Sequence, residues 1–98
     1  MTNYEGKYVL VRGIQSGVYF GILKSRIGKE TELSNCRNIW SWSGAANLNQ
    51  LANDGVKNPE QSKISVESES ITLLDVVEII PCTDKAIENL KGVKAWKY

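Results

Sequence analysis

The fold is set by Lys7-Tyr8-Val9-Leu10-Val11-Arg12, a run of aliphatic, aromatic and β-branched residues that predicts a strand. Turn-forming residues follow at 13–17, and a second run of β-forming residues occupies 18–24. A third strand is predicted to begin at 30–33 and to continue, through a bulge, into 37–42. Because short turns join these consecutive strands, the sequence predicts a compact antiparallel meander.

Two helices are predicted in the second half of the chain. Ser43 is a good N-cap residue, and Gly55 is expected to end the first helix as a left-handed C-cap. Thr83 is expected to cap a second helix over residues 84–91, which Gly92 closes. Apolar residues recur within the first helix at the spacing of one helix face: Ala45, Leu48, Leu51 and Ala52.

The remaining strands are predicted between and after these helix signals. A short edge strand is expected at 63–66, and a long strand is expected at 70–80, where Pro81 ends it. The elements together predict a single domain over residues 1–98. Its predicted fold class is α+β, a curved antiparallel sheet of about five strands with two short helices.

The composition argues against several classes of protein. Net charge is +1, whereas a dedicated binder of duplex nucleic acid carries a basic excess. The longest apolar segment, 71–81, is interrupted by Asp75 and Glu78, so no membrane span is expected. The N-terminus lacks the basic start and apolar run of a signal peptide. We therefore expect a cytoplasmic protein in which Cys36 and Cys82 stay reduced.

Catalytic chemistry is difficult to assemble from these residues. The chain contains no histidine, which is the commonest general acid or base and a frequent metal ligand. The sequence has neither zinc-site spacing nor a Walker loop. Glu67 and Glu69 would share one face of a strand, but glutamates are mostly exposed and the serines around them indicate a solvated loop. The sequence thus predicts a protein that is not an enzyme and holds no metal or cofactor.

A binding site is easier to build, around Arg37-Asn38-Ile39-Trp40-Ser41-Trp42-Ser43. In an extended strand, Trp40 and Trp42 would point to the same side and form one flat aromatic surface. Aromatic faces stack nucleobases, arginine pairs with phosphate, and asparagine reads a base edge. The predicted ligand-binding residues are Arg12, Gly17, Tyr19, Arg37, Asn38, Trp40 and Trp42.

Three interpretations of the tryptophans stay open at this point: burial in the core, stacking on a flat ligand, and docking of a second subunit. Regular strand geometry also turns Arg37 away from both rings. Arg37 and the tryptophans would then share a site only across a bulge or a subunit boundary. Arg12 can equally be a charge at the end of a strand that reaches solvent.

Four segments resemble a widespread group of small phage and prophage proteins, most of which have no assigned function: residues 6–12, 17–21, 33–46 and 79–83. The resemblance covers nearly the whole chain. The chain is also similar to the phage Thoeris anti-defence proteins of the first type, which are signal sponges. Arg37, Trp40 and Trp42 match that family's pattern. Its second paired arginine is Asn38 here, and the aromatic between its tryptophans is Ser41.

This resemblance implies a non-enzymatic phage protein that binds cyclic ADP-ribose-type signals, made by TIR-domain defence enzymes, and sequesters them without turnover. It also implies a homo-oligomer in the cytoplasm of an infected bacterial host. Some members hold cyclic oligonucleotides of the CBASS defence system as well. The two departures remove the basis for transferring ligand contacts to Asn38 and Ser41.

Two other functions fit the same residues. The tryptophan surface suits a protein-binding inhibitor or a host-takeover factor, because large aromatic residues dominate interface hot spots. A small accessory phage protein with a buried tryptophan pair is the third interpretation.

Overall fold

The computed structural model describes residues 4–98, so the first three residues of the predicted domain lie outside the described part. Strands β1 (Tyr8–Gly13), β2 (Gly17–Ile27) and β3 (Glu30–Ser41) form an antiparallel meander, as predicted. The turn between β2 and β3 contains Gly28 at a φ of 60°, a left-handed conformation that glycine adopts without strain.

The second half of the chain adds the helices and three further strands. These elements are α1 (Leu48–Asp54), a 3₁₀ turn (Pro59–Gln61), β4 (Lys63–Ile64), β5 (Ser68–Leu73), β6 (Val76–Pro81) and α2 (Asp84–Gly92). The α+β fold class is confirmed, with six strands in the sheet of the described chain and two α-helices.

The predicted single strand over residues 70–80 is wrong, because the chain leaves the sheet at Leu74 and Asp75. The Asp75 carboxylate accepts hydrogen bonds from the backbone N–H groups of Gln15 (2.6 Å) and Ser16 (3.0 Å). It also accepts one from the Ser16 hydroxyl (2.6 Å). Asp75 thus serves the turn between β1 and β2, which a residue inside a continuous strand would not reach.

The sheet is strongly curved, and its connectivity shows why. The strand order is β4-β3-β2-β1-β6, and β5 pairs with the first half of β3 while β4 pairs with its end. Strands β5 and β6 therefore lie at opposite edges of the sheet, although only Leu74 and Asp75 separate them in the chain. A link of two residues spans less than about 11 Å, so the two edges must approach each other.

Bulges in β3 adjust which way its side chains face. Phe20 pairs with Arg37 and Ile22 pairs with Ser34, so Asn35 and Cys36 together oppose the single residue between Phe20 and Ile22. Asn35 has a φ of 49°, consistent with this bulge. The bulge predicted on the approach to Arg37 is confirmed.

A second bulge lies near the end of β3. Ile39 pairs with Ile64 and Ser41 pairs with Lys63, which leaves Trp40 as an extra residue without a partner in β4. An extra residue shifts the alternation of side chains by one position, so Trp42 returns to the side that Ile39 occupies.

Two hydrophobic clusters lie on opposite faces of the sheet, as alternation along β1 requires. We call them the helix-side core and the strand-side core. The helix-side core lies beneath the two helices and contains Leu10, Phe20, Ile39, Leu51, Ala52, Val56, Ile64, Leu90 and Val93. The strand-side core lies within the curve of the sheet and contains Val9, Val11, Leu23, Leu33, Cys36, Leu73 and Val76.

The helix ends correct one prediction and support two. Ser43 does not cap α1; the N-cap is Asn47, whose side-chain oxygen accepts from the Gln50 N–H (2.9 Å). Gly55 ends α1 as predicted, and its N–H donates to the Leu51 oxygen (2.9 Å). Its φ of 76° is positive, but its ψ of −159° is not that of the predicted left-handed cap. Thr83 caps α2 through its hydroxyl, which accepts from the Ala86 N–H.

Ser43 instead ties the segment before α1 to the 3₁₀ turn. Its backbone N–H donates to the Ser62 hydroxyl (3.0 Å), and its backbone oxygen accepts from the Asn58 N–H (3.1 Å). A capping side chain has to point back at the first turn of its own helix. The tertiary contacts with Asn58 and Ser62 hold Ser43 elsewhere.

Candidate functional site

Arg37 is buried beneath the end of α2, where the bulge at Asn35 directs it to the helix side of the sheet. Its Nη1 donates to the Leu90 oxygen (2.7 Å), its Nη2 to the Val93 oxygen (2.7 Å) and its Nε to the Ser65 oxygen (2.8 Å). The last carbonyl groups of a helix have no partner within the helix, and a cation is favourable there. Arg37 thus acts as a side-chain cap for the end of α2.

This geometry assigns Arg37 a structural contact in place of the predicted ligand contact. The residue is 5% exposed, and all three guanidinium nitrogens donate to backbone oxygens. Burial lowers the pKa of Arg37 from its ordinary value, because the charged form loses hydration. The group remains charged at neutral pH, as arginine does in proteins.

The two tryptophans near the end of β3 have different surroundings, so the predicted flat surface of Trp40 and Trp42 is wrong. Trp42 is partly buried and packs against the helix-side core, and its indole N–H donates to the Ala45 oxygen (3.2 Å). Trp40 is 67% exposed. The bulge at Trp40 is the physical reason, because it reverses the alternation that would have aligned the two rings.

Trp40 stacks instead on Trp96 from the C-terminal tail, residues 93–98. The ring centroids are 6.3 Å apart and the ring planes differ by 22°. Trp96 is itself 51% exposed, so a large aromatic area remains in contact with solvent. We call this pair the tryptophan platform. Large apolar groups left in water mark interaction sites more often than isolated exposed residues do.

Positive charge lies beside the tryptophan platform. The Lys63 ammonium is 5.2 Å from the centroid of the Trp96 ring, within the range of a cation–π interaction. Lys63 also pairs with Ser41 in the β3–β4 ladder, next to the Trp40 bulge. The platform therefore offers flat ring faces and a cation that is available to an anionic group.

A groove adjoins the platform on the tail side. It has a volume of about 500 Å³, within the ~300–1,000 Å³ range of small-molecule sites. The 3₁₀ turn and the residue that follows it form one wall, and the tail forms the other. The lining residues are Pro59, Glu60, Ser62, Gly92, Val93, Lys94, Ala95 and Trp96.

The other predicted ligand-binding residues lie elsewhere in the sheet and take no part in the contacts that form the tryptophan platform. Tyr19 pairs with Asn38 across β2 and β3, and it is partly buried against the strand-side core. The Asn38 amide donates to the Val18 oxygen (3.2 Å). A Cβ atom on Gly17 would lie 3.9 Å from that amide nitrogen, so Gly17, Tyr19 and Asn38 form one local group.

Arg12 is part of neither the tryptophan platform nor the local group of Gly17, Tyr19 and Asn38. It lies opposite Val18 in β2 and Glu78 in β6, and its guanidinium forms an exposed ion pair with Glu78 (3.7 Å). Exposed pairs of this kind contribute about 0–1 kcal/mol to stability. The structure thus distributes the seven predicted residues over several surroundings and places only Trp40 in the tryptophan platform.

Two residues of the candidate site, Trp96 in the platform and Lys63 beside it, were not predicted from the sequence. Trp96 had a signal in the sequence, since the tail Val93-Lys94-Ala95-Trp96-Lys97-Tyr98 holds two aromatic residues. Lys63 carried none, because a lysine in a short edge strand is common on any protein surface.

The thiols have no features of nucleophiles. Cys36 and Cys82 are free, as predicted. Burial raises the pKa of Cys82 to about 12, and burial is also the main reason why the pKa of Cys36 is raised. A reactive cysteine needs a lowered pKa. Within residues 4–98 there is no cluster of acidic, cysteine or histidine side chains able to hold a metal ion.

The model of a family described as a domain of unknown function (DUF6948) matches residues 6–90. The chain belongs to this family. A search of curated proteins and a search of solved structures each found no match. The matched segment includes Trp40 and Lys63 but ends before Trp96.

None of the helices described in residues 4–98 is long and apolar enough to cross a membrane.

Proposed function

We propose that this protein captures a cyclic nucleotide immune signal and holds it without turnover, as a phage anti-defence protein. The ligand class is cyclic ADP-ribose and its isomers, with cyclic oligonucleotides of the CBASS type as further candidates. The site we propose is the tryptophan platform with Lys63, in place of the Arg37-centred pocket expected from the sequence.

One observation carries this proposal: two tryptophan rings stack on each other while both remain at least half exposed. Stacking of a nucleobase on an aromatic side chain contributes about 1–3 kcal/mol. A nucleobase laid on Trp40 or Trp96 would cover aromatic surface that the fold leaves in water.

The charges around the platform suit an anionic ligand. Lys63 contacts the Trp96 ring, Lys94 lines the groove with Trp96, and Lys97 lies beside Trp96 on the tail. Glu60 is the acidic residue in the groove lining, so cations outnumber anions around Trp96. A phosphate group near these lysines would gain electrostatic attraction that falls with salt.

A protein that captures a ligand without turnover has to bind it but needs no catalytic groups. A chain without histidine is poorly equipped for proton transfer, and its thiols have raised pKa values. We further propose that the protein acts as a homo-oligomer in the cytoplasm of an infected bacterial cell. A 98-residue domain buries a smaller share of its surface than a larger one, so association would add stability.

Isothermal titration calorimetry tests the proposed ligand class. The titrants are cyclic ADP-ribose and its isomers, a cyclic dinucleotide and a cyclic trinucleotide. We expect at least one to bind with micromolar or tighter affinity, and Trp40→Ala to weaken that binding by about tenfold or more. Recovery of the ligand from heat-denatured complex, measured by mass spectrometry, should return it unchanged.

Leu74→Ala is the matched control, since Leu74 is also an exposed apolar residue but lies near the other end of β3 from Trp40. It should leave binding unchanged. Absence of heat with every titrant at concentrations well above micromolar would contradict the proposal. Recovery of a cleaved product would contradict capture without turnover.

A protein-binding inhibitor is the second candidate, because the same two rings have the size and exposure of an interface hot spot. Pull-down from host lysate separates the two functions. A single host protein retained by the wild type and lost with Trp40→Ala, together with calorimetry that shows no heat, would favour the inhibitor.

Native mass spectrometry with and without cyclic ADP-ribose reports the oligomeric state in the same sample.

A further inference from the structure

The tail that carries Trp96 is attached firmly at its origin. Arg37 donates to the Leu90 oxygen within α2 and to the Val93 oxygen at the first tail residue. Val93 is also buried in the helix-side core. The point where the tail leaves the body of the protein is therefore fixed by a buried charge and by apolar packing.

Beyond Val93 the attachment is lighter. The Trp96 N–H donates to the Ile64 oxygen in β4 (2.8 Å). Within the described chain, this is the one backbone–backbone hydrogen bond that ties residues 94–98 to the sheet. The Trp96 ring also stacks on Trp40 and lies near the Lys63 ammonium.

The two halves of the platform thus differ in how they are held. Trp40 lies in β3, and the residues on either side of it, Ile39 and Ser41, both pair with β4. Trp96 lies on a segment held by a single ladder-type bond. A segment that has few backbone hydrogen bonds to the rest of the fold opens at low free-energy cost.

We infer that Trp96 is the closing half of the site: the tail swings outward to admit a flat ring, which is then held between Trp96 and Trp40. This inference rests on the proposed function, since it concerns the same platform. Two successive ring-to-ring contacts of about 3.5 Å need about 7 Å between the outer rings. The present pair, with ring centroids 6.3 Å apart and ring planes at 22°, is an offset stack with no gap of that size. The tail must therefore move outward by about one ring thickness, about 3.5 Å, to make room for a base.

The chemistry of the closed site follows from the residues around it. The base lies between two indole faces, each of which accepts any nucleobase because every base has a π face. Lys63, released from the Trp96 ring, becomes available to the phosphate of the same nucleotide. The matched family segment ends at residue 90, so the closing half is a feature of this chain beyond that segment.

Three variants of the full chain test the inference, with cyclic ADP-ribose and AMP as probes. Trp96→Ala should weaken binding of a probe by about tenfold or more, because one of two stacking faces is lost. Trp96→Phe should bind within about threefold of the wild type, because it keeps an aromatic face. Tyr98→Ala is the control on the same tail, and we expect no change.

A second readout follows the movement itself. In the free wild type, the stacked indoles should give an exciton couplet in far-ultraviolet circular dichroism, which Trp96→Phe and Trp40→Phe abolish. Inserting a base should reduce the couplet. Hydrogen exchange at the Trp96 amide should be fast in the free protein and slower with probe bound, because closure protects the bond to Ile64.

The outcomes separate this inference from the function on which it rests. If the wild type binds a probe and Trp96→Ala binds it equally well while Trp40→Ala does not, the closing role of Trp96 is wrong and the proposed function stands. If the couplet and the Trp96 exchange rate are unchanged in the bound state, the closing role is again wrong. If the wild type binds neither probe nor any cyclic nucleotide, both proposals are wrong.

Discussion

The C-terminal tail contacts two regions of opposite character. One is the buried Arg37 side chain, which caps α2, and the other is the exposed tryptophan platform. Every guanidinium nitrogen of Arg37 has a backbone oxygen to donate to, so the fold accounts for this buried charge. Trp40 and Trp96 have each other and Lys63, and both rings remain in water. A group whose contacts are complete serves the fold, whereas large exposed rings indicate a ligand or a partner.

The largest expected effect is on the buried side of this comparison. Arg37→Met should lower the free energy of unfolding by about 3 kcal/mol or more, because several buried oxygens lose a charged donor. Arg37→Lys should lose less, since an ammonium group can restore part of these bonds. Urea unfolding, monitored by circular dichroism, measures the loss of stability in both variants. The dependence of the unfolding free energy on urea concentration should be compared between them.

The same variants can break the comparison. If Arg37→Met unfolds at the wild-type urea concentration but loses nucleotide binding, Arg37 is a ligand contact, as the sequence first indicated. If it is destabilised and its folded fraction still binds, the cap is structural and the platform is the site.

The next effect separates the two neighbouring tryptophans. Trp42→Ala should cost about 2 kcal/mol of stability, because a partly buried ring and the bond to Ala45 are lost. Trp40→Ala should change stability by less than about 0.5 kcal/mol, since its ring is mostly in water. Thermal melts of the two variants decide the point, and equal losses would contradict the separation of the rings.

A smaller effect is expected from pH at Asp75, which bonds to the turn between β1 and β2. The Ser16 hydroxyl, and then the Gln15 N–H, hold the pKa of Asp75 below its ordinary value. Because the folded state binds its proton less readily, Asp75 stabilises the fold above the ordinary carboxyl pKa of about 3.9. That contribution is lost as pH falls from there through the lower folded pKa.

The urea midpoint of Asp75→Asn should therefore lie below that of the wild type at neutral pH. The two midpoints should approach each other as the pH falls below about 4. The tryptophan exciton couplet should persist over the first part of this acid range, because no platform residue takes part in the Asp75 bonds. Simultaneous loss of both signals at the onset would show that the Asp75 bonds and the platform are coupled.

The smallest effect is expected from Lys63→Gln. Stability should fall by no more than about 0.5–1 kcal/mol, the contribution of an exposed cation–π contact. Nucleotide binding should weaken a few fold, and its salt dependence should become shallower because one cation is removed. Calorimetry at two salt concentrations measures this change; an unchanged salt dependence would show that Lys63 does not meet phosphate.

Most of the strand arrangement could be predicted from local sequence. The meander of β1, β2 and β3 follows from β-forming runs separated by turn residues, and the bulge before Arg37 was expected. The break at Asp75 could not be predicted, because it depends on the β1–β2 turn about sixty residues earlier in the chain. The N-cap at Asn47 was missed for a similar reason, since Ser43 is held by Asn58 and Ser62.

The candidate site was harder to predict than the fold. The sequence by itself determined that the chain has no histidine and that two tryptophans follow Arg37 closely, and it predicted Trp40 and Arg37 as binding residues. Only the tertiary structure decided that Arg37 caps α2, that a bulge against β4 separates Trp40 from Trp42, and that Trp96 is the stacking partner. Local propensity cannot fix such contacts, because each joins segments that meet only when the sheet curves and the tail packs against it.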